Sequence, residues 1–222
     1  MTDLKQQIAY AHSLPGQPRE KWQPLDEHLK AVAEKAREFA AEFGSGDWAY
    51  NAGWLHDLGK AADAFQAYLL RENGGEAHME NVPGRVDHST AGAQYTVRAL
   101  PIIGHLLAYA VAGHHAGLLD GRSENACQEK RLAKNIPALG YSFGELPNIS
   151  KMKLPLFVKK ALGEKDAFAL AFFTRMIFSC LVDADFLDTE RFMNPVQAAE
   201  RLSSSSLGQL ANTLSQSLKQ ME

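Results

Sequence analysis

Apolar residues recur at intervals of three and four along much of the chain, the spacing that places them on one face of an α-helix. The first such segment runs from Leu25 to Phe43, and Gly44 is suited to end it. Asp47 is positioned to cap a second helix that reaches Asp57. Further helices are predicted over 61–72, over 89–100 and from Pro101 onward, with a loop at 73–86. The pattern predicts an all-α fold.

The second half of the chain has a different pattern. From about 117 to 150, glycines and prolines interrupt the periodicity, and we expect a long irregular loop there. The predicted helix Ala167–Leu187 is the most apolar of the chain, and we expect it to be central and buried on most sides. Asn194 and Pro195 begin a last predicted helix, at about 195–220. We predict a single domain, 1–222, with its core at about 8–192.

Composition narrows the class of protein. With 222 residues and 45% hydrophobic content, the chain is long enough for one domain with a substantial core. Two cysteines do not make a disulfide framework. The first residues lack the apolar stretch of a signal peptide, and no run approaches membrane-spanning length. We therefore expect a cytoplasmic protein with no membrane partner.

Charge is unevenly distributed. The formal net charge is -3, whereas a protein that holds nucleic acid by itself is usually more basic. Residues 121–160 nevertheless contain eight lysines and arginines against three glutamates. Lys130, Arg131 and Lys134 lie in this segment. It either lines the path of a nucleic acid or is an ordinary solvated surface, and the sequence does not favour one over the other.

Imidazoles and carboxylates fall in or beside the apolar helices. In chain order they are His28 in DEHL, His56 and Asp57 in WLHDLGK, His88 in VDHS, His114 and His115 in GHHAGL, and Asp185 in VDADFL. Each piece alone is weak evidence, since a lone histidine is usually a surface or hydrogen-bonded residue. The ordered combination predicts a metal site, and this donor set suits first-row transition metals better than magnesium. Successive helix residues point about 100° apart, so His56 and Asp57 can reach adjoining positions.

This ordered set resembles the HD phosphohydrolase superfamily, whose members are helical bundles around one or two metal ions. The strings WLHDLGKAADAFQAYL, GHHAGLLDG and FSCLVDADFLDTERF are similar to the HD nuclease of the helicase–nuclease of type I CRISPR systems. The similarity runs from about residue 8 to 192. The bare HD pattern is moderately specific, whereas the strings GHHAGLLDG and FSCLVDADFLDTERF are much more specific.

The resemblance implies two metal ions, and the histidine-rich donor set favours manganese, iron, cobalt or nickel. His28, His56, Asp57 and Asp185 would hold the first; His88, His114 and His115 would hold the second, with Asp57 bridging. Lys60 would face the scissile phosphate, so Asp57 and Lys60 are the predicted catalytic residues. Asp183 remains an alternative to Asp185 as the last ligand. His12, His78 and His105 have no metal role in the pattern.

The implied function is a metal-dependent nuclease that cuts single-stranded DNA in CRISPR interference, by attack of metal-activated water on a phosphodiester. Its partners would be a helicase domain or subunit and the guide-RNA surveillance complex. Lys60, Lys130, Arg131 and Lys134 are the predicted substrate contacts. No GxxxxGK[ST] motif occurs, so we expect no ATP hydrolysis by this chain.

Two alternatives stay open. One is an HD phosphohydrolase that acts on nucleotides or cyclic nucleotides with the same metal chemistry. The other is a non-enzymatic adaptor with a decayed site, against which the full ligand set argues. The sequence leaves open exonuclease or endonuclease action, the oligomeric state, and whether the last helix packs on this core or belongs to a longer helicase–nuclease.

Overall fold

The computed structural model describes residues 8–72, 86–124, 126–143, 146–202 and 206–220, and in these ranges it confirms the all-α prediction. The helices are α1 (Leu25–Ala41), α2 (Gly46–Leu55), α3 (Asp63–Glu72), α4 (Ser89–Ala99), α5 (Gly104–Gly113), α6 (Gln128–Leu132), α7 (Leu156–Glu164), α8 (Ala167–Met193), α9 (Pro195–Leu202) and α10 (Leu207–Lys219). Two short antiparallel strands, β1 (Tyr10–His12) and β2 (Gln23–Pro24), precede them. Single 3-10 turns lie at Arg19–Lys21, Leu58–Ala61 and Ile149–Lys151.

Several helix ends differ from the predicted ones. α2 begins at Gly46 with Ser45 as its cap residue, so Asp47 lies in the first turn and not at the cap. α5 begins at Gly104 and not at Pro101, because the chain turns first and the Gly104 N–H donates to Leu100 O at 2.8 Å. The predicted loop 73–86 lies outside the described residues except for Val86.

The predicted irregular stretch, about 117–150, contains one short helix in its described part. Cys127 caps this helix, α6, and its Sγ accepts the backbone N–H of Lys130 at 3.5 Å. α7, between this stretch and α8, was not predicted. Pro155 at its cap position and Lys165 in the left-handed conformation mark its two ends.

The interior lies between α1, α2, α4, α5 and one face of α8. Buried on that face of α8 are Phe173, Ile177, Leu181 and Ala184. The opposite face is exposed, with Phe168 at 79%, so the expectation that α8 is buried on most sides is wrong. By length and composition alone α8 could cross a membrane, contrary to the expectation that no run approaches that length. A core helix of a soluble protein has the same composition, and this helix has a packed face.

Two glycines allow the helices to approach each other closely. A Cβ at Gly92 on α4 would overlap the carbonyl oxygen of Leu55 at the end of α2. A Cβ at Gly53 on α2 would lie 2.5 Å from Ala33 Cα on α1. The end of α2 is therefore held between α1 and α4.

The chain divides into two compact units, Met1–Asp188 and Thr189–Glu222. In the second unit the predicted single last helix is wrong, because two helices, α9 and α10, flank residues 203–205. Ser206 has extended backbone angles and forms a capping box with Gln209, which starts α10 as a separate helix. Leu210, Leu214 and Leu218 on α10 are each more than half exposed. The single domain 1–222 stays a prediction.

Candidate metal centre

Asp57 lies just beyond the end of α2 and is 1% exposed. Its backbone has left the helical conformation (φ -109°, ψ 19°). One carboxylate oxygen, Oδ1, lies 3.3 Å from the Nε2 atoms of both His88 and His114. The other, Oδ2, lies 3.5 Å from His28 Nε2 and 3.3 Å from His56 Nε2. The two oxygens therefore face two different groups of histidines.

The first group joins three elements of the fold. His28 comes from α1, His56 from the end of α2 and Asp185 from α8. Asp185 Oδ1 lies 3.4 Å from His28 Nε2 and 3.6 Å from His56 Nε2. Asp183 is exposed on the other side of α8. The geometry thus brings Asp185, and not Asp183, to the predicted first metal position.

The second group joins the start of α4 to the end of α5. His115 Nε2 lies 3.0 Å from His88 Nε2, and the rings of His114 and His115 are 3.9 Å apart. Asp57, His88, His114 and His115 each offer a ligand atom within 4.8 Å of the others. All seven predicted ligands therefore meet around Asp57.

Four of the imidazoles share one orientation, in which Nδ1 forms a hydrogen bond to a neighbouring oxygen. The Nδ1 of His56 donates to Gly53 O (2.6 Å), and that of His114 donates to Val111 O (2.7 Å). The Nδ1 of His88 donates to Val86 O (3.2 Å), and that of His28 to the Asp188 carboxylate (2.8 Å). Carbonyl and carboxylate oxygens can only accept, so Nδ1 carries hydrogen and Nε2 points to the centre.

Gly59 sets the distance between the two histidine groups. Its N–H donates to His88 O at 3.0 Å, and a Cβ at this position would overlap that same carbonyl oxygen. The structure shows that its missing side chain lets the HD turn lie directly against the residue that begins α4.

The donor set fits divalent cations. Asp57 Oδ1 and His114 Nε2 are buried, and neither takes part in a hydrogen bond of normal geometry within the described part of the chain. Leaving such atoms unsatisfied costs roughly 1–3 kcal/mol each. The 3.3 Å spacing between Asp57 oxygens and imidazole nitrogens is close to that of neighbouring ligands about 2 Å from one cation.

Charges in the centre are strongly coupled. Burial disfavours the charged form of His28, but hydrogen bonds to Asp185, Asp188 and Asp57 outweigh it and raise the pKa of His28 to about 10. Burial likewise opposes charge on His56, yet Asp57 and Asp185 raise its pKa to about 9. The pKa of Asp57 lies well below its usual value, because Lys60 and His56 outweigh the burial that would raise it. The aspartates thus favour the protonated form of these two imidazoles.

Lys60 is buried beside the centre, at 1% exposed. Its Nζ lies 2.7 Å from Asp57 Oδ2 and donates to Ala11 O at 3.3 Å. A positive charge is therefore held next to the group that joins the two histidine clusters. The predicted contact of Lys60 with a scissile phosphate stays a prediction.

Comparison with known families decides the identity. The family model described as "Cas3, HD domain" matches residues 21–171, more than half of the chain. This chain belongs to the Cas3 HD-domain family. The match covers seven of the eight histidines, all but His12, together with Asp57, and ends before Asp185. No curated protein sequence matches the chain.

Membership of the Cas3 HD-domain family establishes the general class of reaction. A Cas3 HD domain is a metal-dependent hydrolase of the nuclease class that binds divalent metal ions and serves CRISPR defence, with nucleic acid as its substrate. Asp57 and the six side chains around it agree with a metal-binding hydrolase.

Two further histidines of this Cas3 HD domain, His12 and His105, lie outside the two ligand groups. His105 is exposed on α5, as expected of an ordinary helix residue. His12 is buried, and its ring lies edge-on to His28 at 4.8 Å, which agrees with a structural role. His78 lies outside the described residues.

The predicted basic contacts mainly bind their own chain. Arg131 donates to Ser89 Oγ and, at 3.1 Å, to Thr90 Oγ1, both directly after His88. Lys134 Nζ lies 2.8 Å from Asp87 Oδ2, and Lys130 Nζ donates to Glu124 O. The role of these three residues in binding DNA stays a prediction. Arg131 and Lys134 also hold the start of α4 through these contacts.

Sequence reasoning missed Asp188. This carboxylate is buried on α8, three residues after Asp185, and accepts from His28 and from Gln23 Nε2 at 2.8 Å each. The spacing DFLD in an apolar helix could have signalled it, because residues three apart share a helix face.

Proposed function

We propose that this Cas3 HD domain cuts single-stranded DNA in CRISPR interference, by attack of water on a phosphodiester with two divalent transition-metal ions bound. The observation that carries the proposal is the position of Asp57, which presents one oxygen to each of two histidine groups. A carboxylate can bridge two cations in this way, whereas an imidazole cannot. Manganese, iron, cobalt and nickel suit the donors best, with magnesium less favoured.

When bound, divalent ions would lower the pKa of water and hold the phosphate oxygens in place. The chain holds the ligands ready for them: the anchored Nδ1 atoms leave each Nε2 directed inward. Asp57 stays ionised because Lys60 and His56 lower its pKa. Lys60 also places a positive charge where negative charge grows on the phosphate, which stabilises the transition state.

The substrate approaches from the side of Asp185 and His115. Of the described ligands these two keep partial exposure, whereas the others are buried. One of these two ligands belongs to each histidine group, so a phosphodiester that approaches them would be near both groups. This open side is consistent with a polymer substrate whose chain continues in both directions.

The near-neutral charge supports the proposal that another domain or subunit provides most of the DNA binding. With a net charge of -3, the chain has little general attraction for a polyanion. A helicase domain or subunit would deliver the strand after the guide-RNA surveillance complex has opened the target. The family favours a soluble protein inside the cell, in agreement with the expected cytoplasmic location.

The test is cutting of single-stranded DNA across a metal series, with Asp57→Ala and Asp185→Ala beside the unchanged chain. Both variants should lose cutting at least about 100-fold, since each removes a charged ligand. Asp183→Ala is the matched control, because Asp183 is exposed on the same helix. Cutting that survives Asp57→Ala would contradict the proposal.

The same assay separates the alternatives. Rapid hydrolysis of mononucleotides or cyclic nucleotides with intact DNA would instead favour an HD phosphohydrolase of small nucleotides. Metal analysis that finds no bound ion, with no hydrolysis under any divalent cation, would favour an adaptor. Circular single-stranded DNA beside a linear strand of equal length distinguishes endonuclease from exonuclease action.

A further inference from the structure

A cleft of about 330 Å³ opens in the first unit, away from the two histidine groups. Its lining includes Arg37 of α1, Tyr50 and Trp54 of α2, and Lys151. A volume of this size accommodates a nucleobase with part of its sugar. The proposed chemistry at Asp57 does not use any of these residues.

Four partly exposed aromatic rings continue from the cleft as a connected row. Trp54 Nε1 donates to Tyr50 Oη at 3.0 Å, and the rings of Trp54 and Phe143 are 6.2 Å apart. Phe143 lies 5.0 Å from Tyr141, again edge to face. All four side chains are of intermediate exposure and so keep part of their surface open to solvent.

The row ends beside the metal centre. The backbone N–H of Tyr141 donates to Ala61 O at 3.1 Å, and Ala61 directly follows Lys60. At the middle of the row, Trp54 lies in the last turn of α2, and His56 is the residue that caps the end of this helix. A chain molecule that lies along the rings would therefore run from the cleft toward the residues next to Asp57.

Polar groups of the cleft suit a nucleic acid strand. The Arg37 guanidinium lies 3.8 Å from the centre of the Tyr50 ring, and its Nη1 lies 3.3 Å from Glu34 Oε2 in a partly exposed ion pair. Arg37 and Lys151 are its cationic lining residues and Asp47 its anionic one. Asn51, which is 6% exposed and lines the cleft, has an Oδ1 that accepts no hydrogen bond from any described group.

We propose that this aromatic row (Tyr50, Trp54, Phe143 and Tyr141), with Arg37 and Lys151, is a docking track for single-stranded DNA. The inference rests on the proposed function. Proteins that hold single strands without reading their sequence combine aromatic stacking platforms with positive charge, and this surface has both. A free mononucleotide would fill the cleft alone, whereas several bases can use the whole row.

The experiment measures binding separately from cutting. The full chain carries Asp57→Ala to stop hydrolysis, and the anisotropy of a labelled 20-residue oligo-dT gives the Kd. Removal of one stacking ring by Tyr141→Leu should weaken binding about 5-fold to 100-fold, and Tyr141→Phe should restore it, because the π face is kept. Lys151→Gln should flatten the plot of log Kd against log salt by about 0.7.

The matched control is Phe168→Leu, which removes an exposed ring from α8 outside the row and should leave the Kd unchanged. A second measurement, of tryptophan fluorescence, does not require the Tyr141 variants to fold. Oligo-dT should quench tryptophan fluorescence, and Trp54→Phe should remove that quenching, since Trp22 and Trp48 are buried.

The outcomes separate the track from the function on which it rests. Wild-type cutting of DNA, with equal Kd for Tyr141→Leu and its parent and quenching that persists in Trp54→Phe, would overturn the track alone. A chain that neither binds nor cuts single-stranded DNA would overturn both. Loss of quenching in Trp54→Phe with weaker binding by Tyr141→Leu supports the track.

Discussion

Asp188 fixes the orientation of His28. The Asp188 Oδ2 accepts the His28 Nδ1–H at 2.8 Å, and it also accepts from Gln23 at 2.8 Å. Asp188 lies one helical turn beyond Asp185, so α8 supplies both a predicted ligand and the carboxylate that aims another one. A carboxylate behind a metal-binding imidazole fixes its tautomer and raises its basicity.

We therefore expect Asp188→Asn to lower the affinity for Mn²⁺ by about 10-fold to 100-fold, because a neutral amide orients His28 less firmly. Isothermal titration with Mn²⁺ measures it directly. The size and shape of the side chain are kept, so the helical content seen by circular dichroism should not change.

Asp183→Asn is the control for this prediction, since it makes the same change at an exposed position of α8. It should bind Mn²⁺ as the unchanged protein does. Equal affinities of Asp188→Asn and Asp183→Asn would show that Asp188 does not support the metal centre.

Gly59→Ala tests the close approach between the HD turn and α4. The added Cβ would overlap His88 O, so either the Gly59–His88 hydrogen bond breaks or His88 moves away from Asp57. We expect a loss of about 2–4 kcal/mol in the free energy of unfolding, as for other overpacked sites, and weaker metal binding. Chemical denaturation and metal titration measure the two effects.

Gly163→Ala provides the comparison, because a Cβ there meets no atom within 4 Å and the residue is inside α7. An alanine in a helix is about 0.5–1 kcal/mol more favourable than glycine, so this variant should be slightly more stable. If Gly59→Ala behaved like Gly163→Ala, the contact with His88 would not constrain the centre.

Local patterns predicted the helices well, and tertiary contacts explain where they failed. Leu25 was placed correctly because helical periodicity begins there, whereas the start of α5 depends on a turn held by Leu100 O. The exposed face of α8, with Phe168, could not be foreseen from apolar content alone. Burial depends on which neighbours cover a face, and no single segment records that.

The site shows the same division. The order of histidines and aspartates pointed to the residues that meet around Asp57, because family motifs preserve chemistry across distant positions. Sequence spacing did not reveal Asp188, or that Arg131 binds Ser89 and Thr90. Those contacts join segments about 40 and 160 residues apart, which only the folded chain brings together.

Metal-free protein should lose stability as the pH rises above neutrality. The pKa values of His28 and His56 are raised in the folded state to about 10 and about 9, from an ordinary value of 6.5. Their protonation therefore stabilises the fold fully below about pH 6.5, and that contribution is lost as the pH rises through 9 to 10.

Thermal unfolding in EDTA should show a Tm that falls by several degrees between pH 7 and 10. With saturating Mn²⁺ the fall should shrink, because the cation binds the deprotonated imidazoles and metal binding strengthens as protons leave. A His28→Asn variant should show a smaller fall in Tm in EDTA, because only the contribution of His56 remains. A Tm in EDTA that rises over this interval would contradict the raised pKa values.

Arg131→Gln and Lys130→Gln should affect different steps. Arg131 holds Ser89 and Thr90 beside His88 and its side chain is 10% exposed, so its loss should cost about 1–3 kcal/mol of unfolding free energy and loosen His88. We expect Arg131→Gln to slow hydrolysis of bis(4-nitrophenyl) phosphate as much as cutting of DNA.

Lys130 donates to Glu124 O in an exposed segment. Its loss should therefore slow the cutting of DNA more than the hydrolysis of that small substrate, and it should reduce the salt dependence of DNA cutting. Rates with both substrates at two salt concentrations distinguish the variants, and a selective loss of DNA cutting in Arg131→Gln would show that Arg131 binds DNA directly and is not mainly a support for His88.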